Sequence, residues 1–148
     1  MLIYRQGRVH IGGISFCIPD NLGFYDRYET ESNERLSLIT EDETIYLEIY
    51  PNQVAESALE SIQSIFDIDD YTYSVPEPLK IYCNDKTFAY AVKFFSKNHY
   101  YMECAVQLPE PTTSEVLTVS ATMSNKFRDE EHEQLVEKLV LDVVRSIK

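Results

Sequence analysis

The segment "TFAYAVKFF" (residues 87–95) decides the fold. It alternates as a strand does, yet both faces are apolar: Phe88, Tyr90, Val92 and Phe94 fall on one side, Ala89, Ala91 and Phe95 on the other. A strand with one solvated face carries polar residues at every second position, so this composition belongs to a central strand covered on both sides. Two layers must therefore pack on the sheet that contains it.

Reading outward, strand-like runs at 79–83, 99–108 and 116–123 flank this segment, separated by Asn84-Asp85-Lys86, Ser96-Lys97-Asn98 and the polar stretch 109–115. Connections this short join antiparallel neighbours and give a meander. The first cover is residues 129–147, where Val136, Leu139, Val140, Val143 and Ile147 form one stripe, with Glu130 and Glu131 at the start and Arg145 at the end. The second is 53–66, where Ala55, Ala58, Leu59, Ile62, Ile65 and Phe66 recur at helical spacing and Asn52, after Pro51, is placed to cap the start. The stretch 67–78, with its aspartates and prolines, breaks that helix.

Upstream, 35–40 and 44–50 alternate around the turn Glu41-Asp42-Glu43 and predict a hairpin with Ile45, Leu47 and Ile49 inward and Tyr46, Glu48 and Tyr50 outward. At the N-terminus, 9–11 and 14–18 read as two short strands joined by Gly12-Gly13 and stopped by Pro19-Asp20-Asn21. The expected fold is one α+β domain over 1–148: a mainly antiparallel sheet packed by an internal helix and a C-terminal helix. A chain of this length buries enough surface to need neither metal nor disulfide staples.

The order of these elements, together with the glycine-bearing first strand and "ISFCIPD" (residues 14–20), resembles the PsbP-like superfamily, which includes Mog-type and DcrB-type proteins. The resemblance implies an α/β/α sandwich and a generally non-enzymatic role. That superfamily includes a photosystem subunit, a partner of a small GTPase, envelope lipoproteins and secretion-effector chaperones. No ligand of the family maps onto particular residues here.

The charge narrows the partners. Twenty-five acidic residues against 13 basic ones give a formal charge of −12, which repels phosphate backbones and anionic lipid and favours a basic partner surface over nucleic acid. No apolar run is long enough to insert in a membrane, and the first residues lack the pattern of a secretory signal, so the expected location is the cytoplasm. Three cysteines, Cys17, Cys83 and Cys104, with no C-x-x-C pair, are expected as free thiols, and Cys104 shares a strand face with Tyr100, Met102, Val106 and Leu108.

The sequence contains no complete catalytic or cofactor motif. Gly13-Ile14-Ser15-Phe16-Cys17 begins like a nucleophile elbow, but Cys17 occupies the second glycine's place and a Pro-Asp stop follows where a helix must start. Gly7, Gly12, Gly13 and Gly23 match no phosphate-binding loop. His132-Glu133 has Val136 where a zinc protease needs its second histidine, and Asp67, Asp69 and Asp70 are followed by Thr72 and Pro78 where a calcium loop needs glycine and glutamate. A cysteine meeting one of His10, His99 and His132 in space is open on sequence alone.

The first functional expectation is a non-catalytic protein-binding module, adaptor or chaperone-like, with no cofactor or metal. A small-molecule-binding or enzymatic domain whose groups converge only in three dimensions, and an immunity-type inhibitor of a basic protein, are the alternatives. The candidate binding surface is Tyr46, Glu48 and Tyr50 with the neighbouring turn Glu41, Asp42 and Glu43: tyrosines supply rigid contact area and carboxylates steer a basic partner.

Overall fold

A computed structural model describes residues 2–29, 34–110 and 115–148. Most of the polar stretch 109–115 lies outside the described residues.

The N-terminal strands β1 (Ile3–Arg5), β2 (Arg8–Ile11) and β3 (Ile14–Phe16) form a small antiparallel sheet. Its Gly12-Gly13 turn has φ of +53° and +84°. A Cβ on Gly12 would stand 2.9 Å from both the Glu110 carbonyl oxygen and Leu108 Cδ1, so the turn also needs glycine for close packing. The stretch is a structural hairpin, and Ser15 is an ordinary strand serine that accepts from Arg8 Nε at 2.8 Å.

The large sheet contains β4 (Leu22–Glu29), β5 (Glu34–Thr40), β6 (Ile45–Asn52), β7 (Thr72–Tyr73), β8 (Leu79–Tyr82), β9 (Phe88–Phe95), β10 (His99–Gln107) and β11 (Val116–Ser124). Its order is β4-β5-β6-β11-β10-β9-β7, with β8 also pairing β9, and every pairing is antiparallel. The meander β8 to β11, the hairpin β5–β6 and the C-terminal helix follow the sequence reading. Three strands, β1, β4 and β7, go beyond it.

The helix α1 (Ala58–Gln63) is shorter than its apolar periodicity predicts and runs into a 3-10 turn, Ser64–Asp67. The expected cap, Asn52, instead belongs to β6, pairing with Val116, while its Oδ1 accepts from the backbone N–H of Val54 and Ala55 at 3.0 and 3.1 Å. The chain must first turn off the sheet, and Ser57 then caps the helix by accepting from Glu60 N–H. The Ala58 N–H is met by Gln107 Oε1 at 2.8 Å, which pins the helix start to β10.

The second cover, α2 (Glu130–Arg145), is capped by Asp129, which accepts from His132 N–H at 2.7 Å. Its Val136, Leu139, Val140, Val143 and Val144 bury against Ile45, Leu47 and Ile49 of β6, Ala89 and Ala91 of β9, and Cys104 of β10. Past the helix, Ser15 and Lys148 exchange two backbone hydrogen bonds, tying the chain's end to β3. On the opposite sheet face, α1 and the 3-10 turn bury Ala58, Ile62 and Ile65 against Val92, Phe94, Ala105 and Val116. The two covers are unequal. Six residues of α1 shield the β9–β10 side of their face and reach β11 and β6 only at the Val116 and Asn52 end, leaving the rest of the β6–β11 part without a helix.

Candidate functional site: the partly uncovered sheet face

Three rows of side chains cross this open part. Register places Glu103, Ser120, Glu48 and Ser37 in one line across β10, β11, β6 and β5. On one side lies Ala105, Thr118 and Tyr50, and on the other Tyr101, Thr122 and Tyr46. Here β11 carries the short side chains Thr118, Ser120 and Thr122, flanked by Tyr101, Glu103 and Ala105 on β10 and by Tyr46, Glu48 and Tyr50 on β6, and the difference in side-chain length makes a shallow trough over Ser120 and Thr122. Tyr101 is held upright by stacking on Phe94, with ring centroids 4.7 Å apart.

One cation already sits against the β6 wall. Arg35 Nη1 donates to Glu48 Oε2 at 2.8 Å, and its guanidinium carbon lies 4.3 Å from the Tyr50 ring centroid. Glu103, on the opposite wall, has no hydrogen bond or ion pair among the described residues. Its carboxyl pKa is pushed up to about 7, mainly by burial and further by the charge of Glu48. Tyr50 is half-buried and its phenol pKa is raised, by burial first and then by Glu103. The Thr118 hydroxyl lies close enough to Tyr50 to oppose that rise slightly, yet it completes no hydrogen bond of ordinary geometry and is 1% exposed.

The residues expected as a single surface fall into two groups. Tyr46, Glu48 and Tyr50 do share the outer face, opposite the buried Ile45, Leu47 and Ile49. Glu41, Asp42 and Glu43 are exposed at the end of the hairpin, but Glu41 and Asp42 line a cleft of about 660 Å³ with Leu135, Lys138 and Leu139 of α2, on the other side of the sheet. Asp42 is consumed by the turn itself: its Oδ1 accepts from Thr40 Oγ1, Thr44 Oγ1 and Thr44 N–H at 2.7, 2.8 and 3.2 Å, and these bonds hold its pKa below the usual range. Glu43 occupies the left-handed turn position, φ +59°.

Arg35 and Glu103 were not among the expected site residues. Glu103 does carry a signal in the sequence, as a single acid inside the apolar run "YYMECAV" (residues 100–106).

The groups considered for chemistry are dispersed. Burial raises the thiol pKa of Cys83 to about 11 and also raises that of Cys104, which suppresses the thiolate that a nucleophile requires. Cys17 Sγ accepts from Arg8 Nη1 at 2.9 Å, and no hydrogen bond joins a cysteine to a histidine among the described residues. Among those residues no cluster of three or more His, Cys, Asp or Glu could hold a metal ion. No helix among them is long and apolar enough to cross a membrane. No protein-family model matches this sequence, and no curated protein matches it significantly.

Proposed function

We propose that this protein is a non-catalytic binding module, adaptor or chaperone-like, whose Tyr46–Glu48–Tyr50 face receives a partner protein with a basic surface. The observation that carries this reading is the inequality of the two covers: the six-residue cover leaves no helix over the tyrosines and carboxylates of the β6–β11 part of the sheet, where Tyr46 is exposed and Glu48 and Tyr50 are half-buried. A net charge of −12 steers a basic surface toward it. Arg35 illustrates the contact such a partner would make, a guanidinium paired with Glu48 and stacked on Tyr50. The resemblance to the PsbP-like superfamily points the same way, and the thiols of Cys17, Cys83 and Cys104, all free, suit a reducing cytoplasm.

The test is a paired capture from the source lysate by the parent and by Tyr46→Ala, Tyr50→Ala and Glu48→Lys variants of unchanged circular dichroism. A partner on this face is retained by the parent, weakened in the variants, and released as salt rises, because exposed charges are screened beyond about 10 Å at 0.1 M. Equal capture by all four proteins removes this face as the site.

A further inference from the structure

Building on that reading, we propose that Glu103 anchors one cationic side chain of the partner, an arginine or a lysine, in the trough between β10 and β6. Adjacent strands lie about 4.8 Å apart, so the Glu103 and Glu48 backbones are separated by about 10 Å with Ser120 between them. Arg35 serves Glu48 at 2.8 Å, and no cation among the described residues serves Glu103. A partly buried carboxylate without a counter-ion is costly, and a cation arriving with the partner removes that cost.

A second acceptor stands beside it. Thr118, one side-chain position along the same face and 1% exposed, has a buried Oγ1 near Tyr50 that completes no hydrogen bond of ordinary geometry among the described residues. Tyr50 and Tyr101 supply aromatic walls on opposite sides, the surroundings that favour a desolvated guanidinium or ammonium. A hard metal ion is a poorer occupant, since calcium takes six or more oxygen ligands and no group of three potential ligating residues occurs among the described residues.

The experiment is an NMR titration of the whole protein at pH 7.5 with the tripeptide acetyl-Gly-Arg-Gly-amide and with its uncharged citrulline counterpart. The arginine peptide should shift the Glu103 side-chain carboxyl and the Thr118 and Ser120 amide resonances, while the citrulline peptide should not. Glu103→Gln should bind the arginine peptide about tenfold more weakly, the loss of one charge-assisted hydrogen bond. The carboxyl shift is read in the parent protein, so the result does not depend on how the variant folds. Absence of binding at about 10 mM peptide, shifts confined to other residues, or undiminished binding by Glu103→Gln each overturns the anchor. If Glu103→Gln binds as the parent does but Tyr46→Ala weakens binding, the face is a docking surface with another anchor; if neither matters, the proposed function fails as well.

Discussion

Glu103 and Glu48 stand on one sheet face two strands apart, and among the described residues only Glu48 has a cation, Arg35 at 2.8 Å. The pair places a paired and an unpaired carboxylate on opposite sides of Ser120. Their unequal surroundings make the stability of the fold depend on pH in a direction opposite to that of most acids.

An ordinary salt-bridged acid stabilises a protein as pH rises. Glu103 does the reverse. With its folded pKa near 7 against 4.5 for a free glutamate, the native state binds more protons than the unfolded chain between those values, so stability falls as pH rises through that window. Below it both states are protonated and the difference vanishes; above it the full penalty of a few kcal/mol applies. The groups facing this carboxyl are Glu48 and Tyr50 of β6, Arg35 of β5 through Glu48, and Tyr71 before β7. Glu103→Gln should therefore unfold at a higher temperature than the parent at pH 8, with the two curves converging near pH 4. Calorimetric midpoints that coincide at pH 8 would show that the carboxylate is solvated after all.

The Gly12-Gly13 turn separates two causes of glycine use. Gly12 and Gly7 both have positive φ, +53° and +76°, but a Cβ on Gly7 meets nothing within 4 Å whereas one on Gly12 meets backbone and Leu108 at 2.9 Å. Gly7→Ala should cost only the conformational strain, about 1 kcal/mol, and Gly12→Ala about 1–3 kcal/mol more because the segment at 108–110 must move. Equal losses in urea unfolding would mean that this segment gives way freely.

Much of this architecture is legible in the sequence because it rests on clean periods. The stripe from Val136 to Val143 and the alternation from Ile45 to Tyr50 each fit one template and are buried as the pattern requires. The helix expected at 53–66 is misjudged because apolar spacing continues from Ala55 to Phe66 through a turn, a short helix and a 3-10 segment, and spacing alone does not distinguish Asn52 in an Asx turn from Ser57 as the true cap. Strand β1 is brief and exposed, and β4 reads "LGFYDRYE", with no alternation to reveal it. The outward set Tyr46, Glu48 and Tyr50 follows from local alternation. Glu103 becomes their neighbour only through the order β6-β11-β10, a pairing across more than 50 residues that no local pattern encodes.

Thiol chemistry should sort by burial. Cys104 is fully buried and Cys83 has its pKa raised to about 11, so neither supplies much thiolate at pH 8. In the native protein an aromatic disulfide reagent should therefore modify Cys17 first, with Cys83 following slowly and Cys104 reacting only on unfolding. Rapid modification of Cys104 without denaturant would reveal an opening of the sheet that its packing under α2 does not predict.

The final prediction concerns the coupling between the two glutamates. Glu48 raises the Glu103 pKa by like-charge repulsion, and Arg35, paired with Glu48, offsets part of that field. Glu48→Gln removes the repelling charge and leaves the Arg35 cation in place, so the Glu103 pKa should fall. Arg35→Gln removes the cation and leaves Glu48 bare, so it should rise. Carboxyl carbon NMR of Glu103 across pH 5–9 measures both directions on the same nucleus, and each variant serves as the other's control for nonspecific loosening, which would move both toward 4.5. Opposite shifts would establish that the two walls of the trough share one electrostatic field. A Glu103 pKa indifferent to both substitutions would mean that desolvation alone sets it, and that a cation docked on one wall would not be felt at the other.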